Sequence, residues 1–242
     1  CDNETGVTFP NKVSTADDDR ENINVKMIRL ITRMLFVWFI KQKKLVPDTI
    51  FNETELVSIL KDFNPKAIDD GCYYNAILQN LFFATINRAV IDSEGNRRSF
   101  ATAKNQHDVR NLYRYAEMFC ISEDEVIELF EKVPFLNGSL FECLDKFQKT
   151  DLLKEEDVLD DGFSRNSTRS GNGNYKYRAF IPNILFFNDD ETHLGLINLF
   201  KRYNFTIEEN APNDVDVSLD PELLGKVFEN LLASYNPETQ AS

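Results

Sequence analysis

Four cations, Arg165, Arg169, Lys176 and Arg178, fall within the 17 residues from Gly162 to Arg178, and no acid accompanies them. The rest of that stretch is rich in Ser, Asn and Gly, a loop composition. A positively charged loop without carboxylates can follow a phosphate backbone, where each cation displaces a condensed counterion. Its flanks are repelled from phosphate: Glu123 to Asp161 holds 13 acids and 4 bases, and from Tyr203 onward eight acids face one base, Lys226. A second basic set, Lys26, Arg29 and Arg33 followed by Lys41 and Lys44, recurs at helical spacing. Lys26, Arg29, Arg33 and the four loop cations are therefore the candidate phosphate contacts. The competing reading is a solvated loop with no ligand, a common role for this composition.

Residues for a reaction are harder to find. Metal-dependent nucleases combine an acid with an Asp/Glu-x-Lys pair to hold a cation and activate water, and neither Asp-x-Lys nor Glu-x-Lys occurs in the chain. The cysteines Cys1, Cys72, Cys120 and Cys143 form no Cys-x-x-Cys pair. His193 stands beside Asp189, Asp190 and Glu191, which reads as a helix start where acids are favoured by the dipole. His107 reads as a surface residue at a helix entry. Gly171-Asn172-Gly173 is the one Gly-x-Gly, it follows no strand pattern, and Lys176 stands where a third glycine would fall. The expected catalytic residues are none, and the expected metal ligands are none.

The elements that must carry these residues read as helices. From Asn24 to about Lys44, Met27, Ile28, Ile31, Met34, Leu35, Trp38 and Phe39 recur at helical spacing with the basic set opposite, so a long amphipathic helix with a basic stripe is predicted. Further helices are predicted over 54–63, 73–88, 108–118 and 123–132, the last capped by Ser122 with Glu125 three residues on. Pro134 to Gly138 is a turn, after which 139–147 resumes a helix. Residues 177–187 suit an edge strand or short extended piece around Pro182, with Phe205-Thr206-Ile207 as a candidate partner, and 193–202 is helical. Asp220 as N-cap and Pro221 at the first helical position start a last helix with Leu223, Leu224, Val227, Phe228 and Leu231 on its apolar face. The fold class is mainly α, a multi-helix domain with a small β element near residues 177–207. Four parts are expected: a linker or tail over 1–21, a helical body over 22–158, a basic flexible loop over 159–178, and a β element with terminal helices over 179–242.

Composition sets outer limits. Net charge is −13, 42 % of residues are hydrophobic, and 20 phenylalanines against one tryptophan supply an aromatic core. The longest apolar run, Met34 to Ile40, is seven residues, short of the roughly 20 that span a bilayer. With no secretory pattern and scattered thiols, a reducing, cytoplasmic setting without membrane contact is expected. Cys1 at the start reads as an excised or processed segment, and a lipidated N-terminal cysteine would begin the same way.

Several segments, in order, resemble one protein family. They are LITRMLFVWFIKQKKLVPD (Leu30 to Asp48), GCYYNAILQNLFFATINR (Gly71 to Arg88), VPFLNGSLFE (Val133 to Glu142), RAFIPNILFF (Arg178 to Phe187) and GLINLFKRYNFTIEENAPNDVDVSLDPELLGKVFENLL (Gly195 to Leu232). Together they resemble the region before the methyltransferase domain in single-chain (type IIG) restriction–modification enzymes that methylate adenine in DNA. The resemblance implies a helical connector between a nuclease and a methyltransferase domain in one polypeptide, with DNA as the parent enzyme's partner. It implies AdoMet and Mg as the parent's cofactors and none for this segment. The Asn/Asp-Pro-Pro-aromatic loop that holds the target amine in such methyltransferases has no counterpart, since no Pro-Pro pair occurs here. Leu224, Val227, Phe228 and Leu231 become candidates for docking against the adjacent domain. Two functional classes stay open: a connector whose cations touch DNA, and a purely structural helical interaction module without DNA contact. An independent helical lipoprotein, suggested by Cys1 alone, is a distant third.

Overall fold

Between Ala16 and Gln42 the chain has neither Pro nor Gly, and it forms one 27-residue helix, α1 (Ala16–Gln42). It ends in a Schellman turn: the Leu45 amide donates to Ile40 O at 3.1 Å and the Lys44 amide to Lys41 O at 2.7 Å. Lys44 takes the left-handed position (φ 60°) that glycine usually fills, and Pro47 follows. The computed structural model describes residues 6–10, 16–102, 109–136, 138–146, 159–164 and 177–202.

The face that α1 buries differs from the predicted one. Leu30, Met34, Val37, Trp38 and Ile40 point inward as apolar residues should, but so do Lys26, Arg29 and Arg33, while Ile28 and Ile31 are exposed. The basic stripe is thus an interior feature. Arginine and lysine can be buried when aromatic rings take their stems and acceptors take their charges, and Lys26 and Arg33 meet both conditions, as described below.

α2 (Glu53–Ile59) starts where the Asn52 side chain accepts the Thr54 amide at 3.0 Å. Next comes the central element, a π-helix over Tyr73–Ile86, in which every one of the 14 residues is buried. A segment apolar all round needs a neighbour on every side, and the side chains of Asn75, Gln79, Asn80 and Thr85 within it are each hydrogen-bonded. One buried guanidinium, Arg98, ties the end of the π-helix to the turn after α3 (Glu123–Leu129). It donates to Thr85 O, Arg88 O, Phe130 O and Val133 O at 2.7–3.1 Å. α3 has the predicted capping box, with Ser122 and Glu125 each bonding the other's backbone.

Two predicted helices are not formed as such. Within 108–118, the described residues from Val109 to Tyr115 form no helix, with a bend at 110–112 and a bridge at Tyr113, and only Ala116–Met118 makes a 3-10 turn. The Asn80 side chain takes both the amide and the carbonyl of Arg114 at 2.8 Å, Tyr113 bridges to Phe100, and Tyr115 has φ 66°. Those backbone groups are not available to a helical ladder. Among the described residues of the second, 139–146, only Ser139–Phe141 turns, again as a 3-10 helix, because the amide of Leu144 is drawn to Asp161.

Near the end of the described chain, Phe180 does pair as a short extended piece, with Thr8 as its partner; the Phe205 region expected beside it lies outside the described residues. The segment then coils into α4 (Ile184–Phe187) where the strand was expected to continue, and α5 (Leu196–Arg202) follows. The fold is helical, with isolated bridges and no sheet among the described residues. Within the stretch read as a tail, Thr8 bridges to Phe180 and α1 starts at Ala16. No helix of the described residues is long and apolar enough to cross a membrane.

Candidate functional site: a buried cation–carboxylate network

The inner face of α1 meets a stretch that approaches from 128 residues downstream. Arg33 donates through Nη1 to Asp161 Oδ1 at 2.9 Å, through Nε to Leu140 O at 2.7 Å and through Nη2 to Glu142 O at 3.0 Å. Its guanidinium lies over Phe83 and Phe82, 4.9 and 5.7 Å from the ring centroids. The ion pair is sealed, with side-chain exposures of 3 % and 5 %. Two turns earlier, Lys26 sits over Phe9 at 4.9 Å and pairs with Asp160 at 3.6 Å. Burial lowers the pKa of Lys26, against the pull of Asp160 and Asp161, and brings Arg29 down to about 10.

Asp145 organises the other side. Its Oδ1 accepts the amides of Asp161 (2.8 Å) and Gly162 (3.0 Å), and its Oδ2 those of Phe163 and Ser164 (both 2.8 Å). Four backbone donors occupy both oxygens of a fully buried carboxylate, which offsets its desolvation. Gly162 makes the turn possible. It has φ +64°, and a Cβ there would come within 2.5 Å of Ala179 N and 2.9 Å of Pro10 Cγ.

From the π-helix, Gln79 donates to Asp161 O at 2.8 Å and accepts from Tyr115 Oη at 2.9 Å and Asn75 at 3.1 Å. Asn75 also reaches Ala179 O at 3.0 Å. Arg114 donates to Ser164 O at 2.8 Å, and Arg178 lies over the Tyr115 ring at 4.5 Å with Glu117 3.5 Å away. Burial raises Tyr115 up to about 12, with Arg178 and Arg114 opposing it. The residues on both sides of the basic stretch, Ser164 and Arg178, are therefore buried and fastened to one rigid frame.

The structure thus places four of the seven candidate phosphate contacts, Lys26, Arg29, Arg33 and Arg178, inside the molecule at 6, 8, 2 and 6 % exposure. Arg165, Arg169 and Lys176 lie outside the described residues, as do Leu224, Val227, Phe228 and Leu231. Sequence reading missed Asp145, Asp161, Asn75, Gln79 and Arg114 as members of the network. A signal existed for two of them: Asn75 and Gln79 are amides one helical turn apart in an otherwise apolar run, and such amides need buried partners.

Among the described residues, Cys143, Asp145 and Asp161 bring potential metal-ligand atoms within 4.8 Å of one another. The group does not suit a cation. Asp145 spends both oxygens on amides, Asp161 serves Arg33 and the Leu144 amide, and burial holds the Cys143 thiol well above its usual range. At the other acidic cluster, Asp189 pairs with Lys66, while Asp190 accepts from Thr192, whose hydroxyl lies 2.8 Å from His193 Nδ1. These are the bonds of a capped turn.

No family model matches the chain, and no solved structure matches it significantly. Among curated proteins it is similar to one from Methanocaldococcus jannaschii named "Putative type II restriction enzyme and methyltransferase", with 24 % identity over 207 residues. The match takes in 85 % of this chain and 12 % of that protein, so the chain spans about an eighth of its relative's length. The chain is a distant relative of a restriction–modification protein.

Proposed function

We propose that this chain is the helical connector of a single-chain, type IIG restriction–modification enzyme, cytoplasmic, holding a nuclease and an adenine methyltransferase domain in register on DNA. The observation that carries the proposal is the shape of the match: most of this chain aligns with a small part of a much longer relative whose name joins both activities. In this reading the chain has no catalytic centre of its own, and AdoMet and Mg belong to other domains of the parent. The carboxylates buried here support that division, because they are committed to Arg33 and to backbone amides.

Contact with DNA is part of the proposal, and it rests on Arg165, Arg169 and Lys176, since Arg178 and the α1 cations are turned inward. Backbone contacts of this kind position a duplex without reading its sequence. A second reading, a spacer without DNA contact, is favoured by that same inward turn of four cations. One experiment separates them: neutralise Arg165, Arg169 and Lys176 together in the parent enzyme and measure duplex binding against salt. A connector on DNA loses up to about 0.9 of slope in log K against log salt per contact. An unchanged slope with normal methylation and cleavage leaves the spacer reading.

A further inference from the structure

Because α1 turns its cations inward, it leaves a line of apolar side chains outside. Ile28 is 49 % exposed and Ile31 40 %, and Leu35 and Phe39 are half-buried. Steps of three, four and four residues set them in one row about 16 Å long, at about 1.5 Å per residue. Lys43 and Lys44 stand exposed just past its Phe39 end.

We propose that this row is the seat of residues 220–232 of the same chain. Those residues lie outside the described part, and their sequence predicts a helix begun by Asp220 and Pro221 with Leu224, Val227, Phe228 and Leu231 on one face. The course of the chain supports the placement. α5 carries it to Arg202, and Phe200 rests on Trp38 of α1 with ring centroids 5.4 Å apart. The described chain therefore ends against α1, about 15 Å along the helix from Ile28. The residues from Tyr203 to Leu219 follow, and when extended they reach on the order of 50 Å, several times what is needed.

Spacing and charge point the same way. Leu224, Val227 or Phe228, and Leu231 step by three and four residues, matching Ile28, Ile31 and Leu35, so the two rows can interdigitate as paired helices do. The chain from Tyr203 onward carries eight acids and one base, which suits the exposed Lys43 and Lys44. This inference rests on the reading of 220–232 as a helix with one apolar docking face, seats that face on α1 in place of an adjacent domain, and is independent of DNA contact.

The test puts a benzophenone side chain in place of Ile31 in the full 242-residue chain, a surface position that tolerates it. After irradiation, peptide mass spectrometry should find the crosslink within one chain, in residues 220–232. Mixing isotope-labelled and unlabelled copies identifies a crosslink between two chains, and that result overturns the proposal, as does a product lying elsewhere or none. A thermodynamic cycle supplies a second measurement. The unfolding constant of the Ile31→Ala/Phe228→Ala double variant should fall short of the product expected from the singles by about threefold or more. Simple multiplication of the two effects would count against the pairing. Neither readout depends on the salt slope of DNA binding, so failure here and failure of the connector reading are separable.

Discussion

Arg33 and Asp161, 128 positions apart, meet at 2.9 Å with both side chains almost wholly removed from water. This pair joins α1 to the segment that leads into the basic stretch. Its surroundings decide its value: three acceptors and two phenylalanine rings for Arg33, and the Leu144 amide for Asp161.

Removing one partner of such a pair strands a charge in the interior. Arg33→Met should cost about 3–5 kcal/mol of folding stability, measured by chemical denaturation of the full chain. The double variant Arg33→Met/Asp161→Asn should recover part of that loss, since no buried charge is then left alone. A loss no smaller in the double variant would mean that the rings and carbonyls, rather than the ion pair, set the cost.

Asp145 makes a sharper case. In Asp145→Asn one oxygen becomes an NH2 group that faces two backbone amides, so two charge-assisted bonds are replaced by donor–donor contacts. At about 1.5–3 kcal/mol for each bond to a charged group, the loss should be on the order of 3–6 kcal/mol. Amide hydrogen exchange should quicken first at Asp161 to Ser164. Protection there equal to the parent's would remove Asp145 from its role as organiser of this turn.

The buried phenols set an alkaline limit. Burial raises Tyr73, Tyr74, Tyr113 and Tyr115, the last up to about 12, and raises the Cys72 thiol up to about 12 as well. A phenol raised above its unfolded value of about 10 contributes stability that is whole below that pH. The contribution is lost as pH climbs from there through the folded value. Arg29, lowered to about 10, acts in the opposite sense above that pH and offsets part of the loss. In an absorbance titration of the eight tyrosines, these four should stay silent until the fold opens, and then ionise together with the loss of helical circular dichroism. Smooth ionisation of all eight with the helix signal intact would show that the four are open to solvent.

How much was legible beforehand follows the range of the signals. α1, α2 and α3 were readable because their causes are local: uninterrupted helix formers, the Asn52 cap, and the reciprocal bonds of Ser122 and Glu125. The stretch 109–115 was misread because Asn80, 34 residues earlier, takes the backbone of Arg114. Phe180 was correctly read as extended, yet its partner Thr8 lay in what looked like a tail.

The sequence by itself determined that the chain is helical and that a restriction–modification relationship exists. Those conclusions rest on periodicity, composition and ordered motifs, which need no knowledge of distant neighbours. Only the tertiary structure decided which way α1 faces. Periodicity alone sets Lys26, Arg29 and Arg33 toward water, because an isolated helix has nothing else to offer a cation. The fold brings Asp160, Asp161 and the Leu140 and Glu142 carbonyls to that face. Buried acceptors then replace the lost hydration, and Ile28 and Ile31 are left outside.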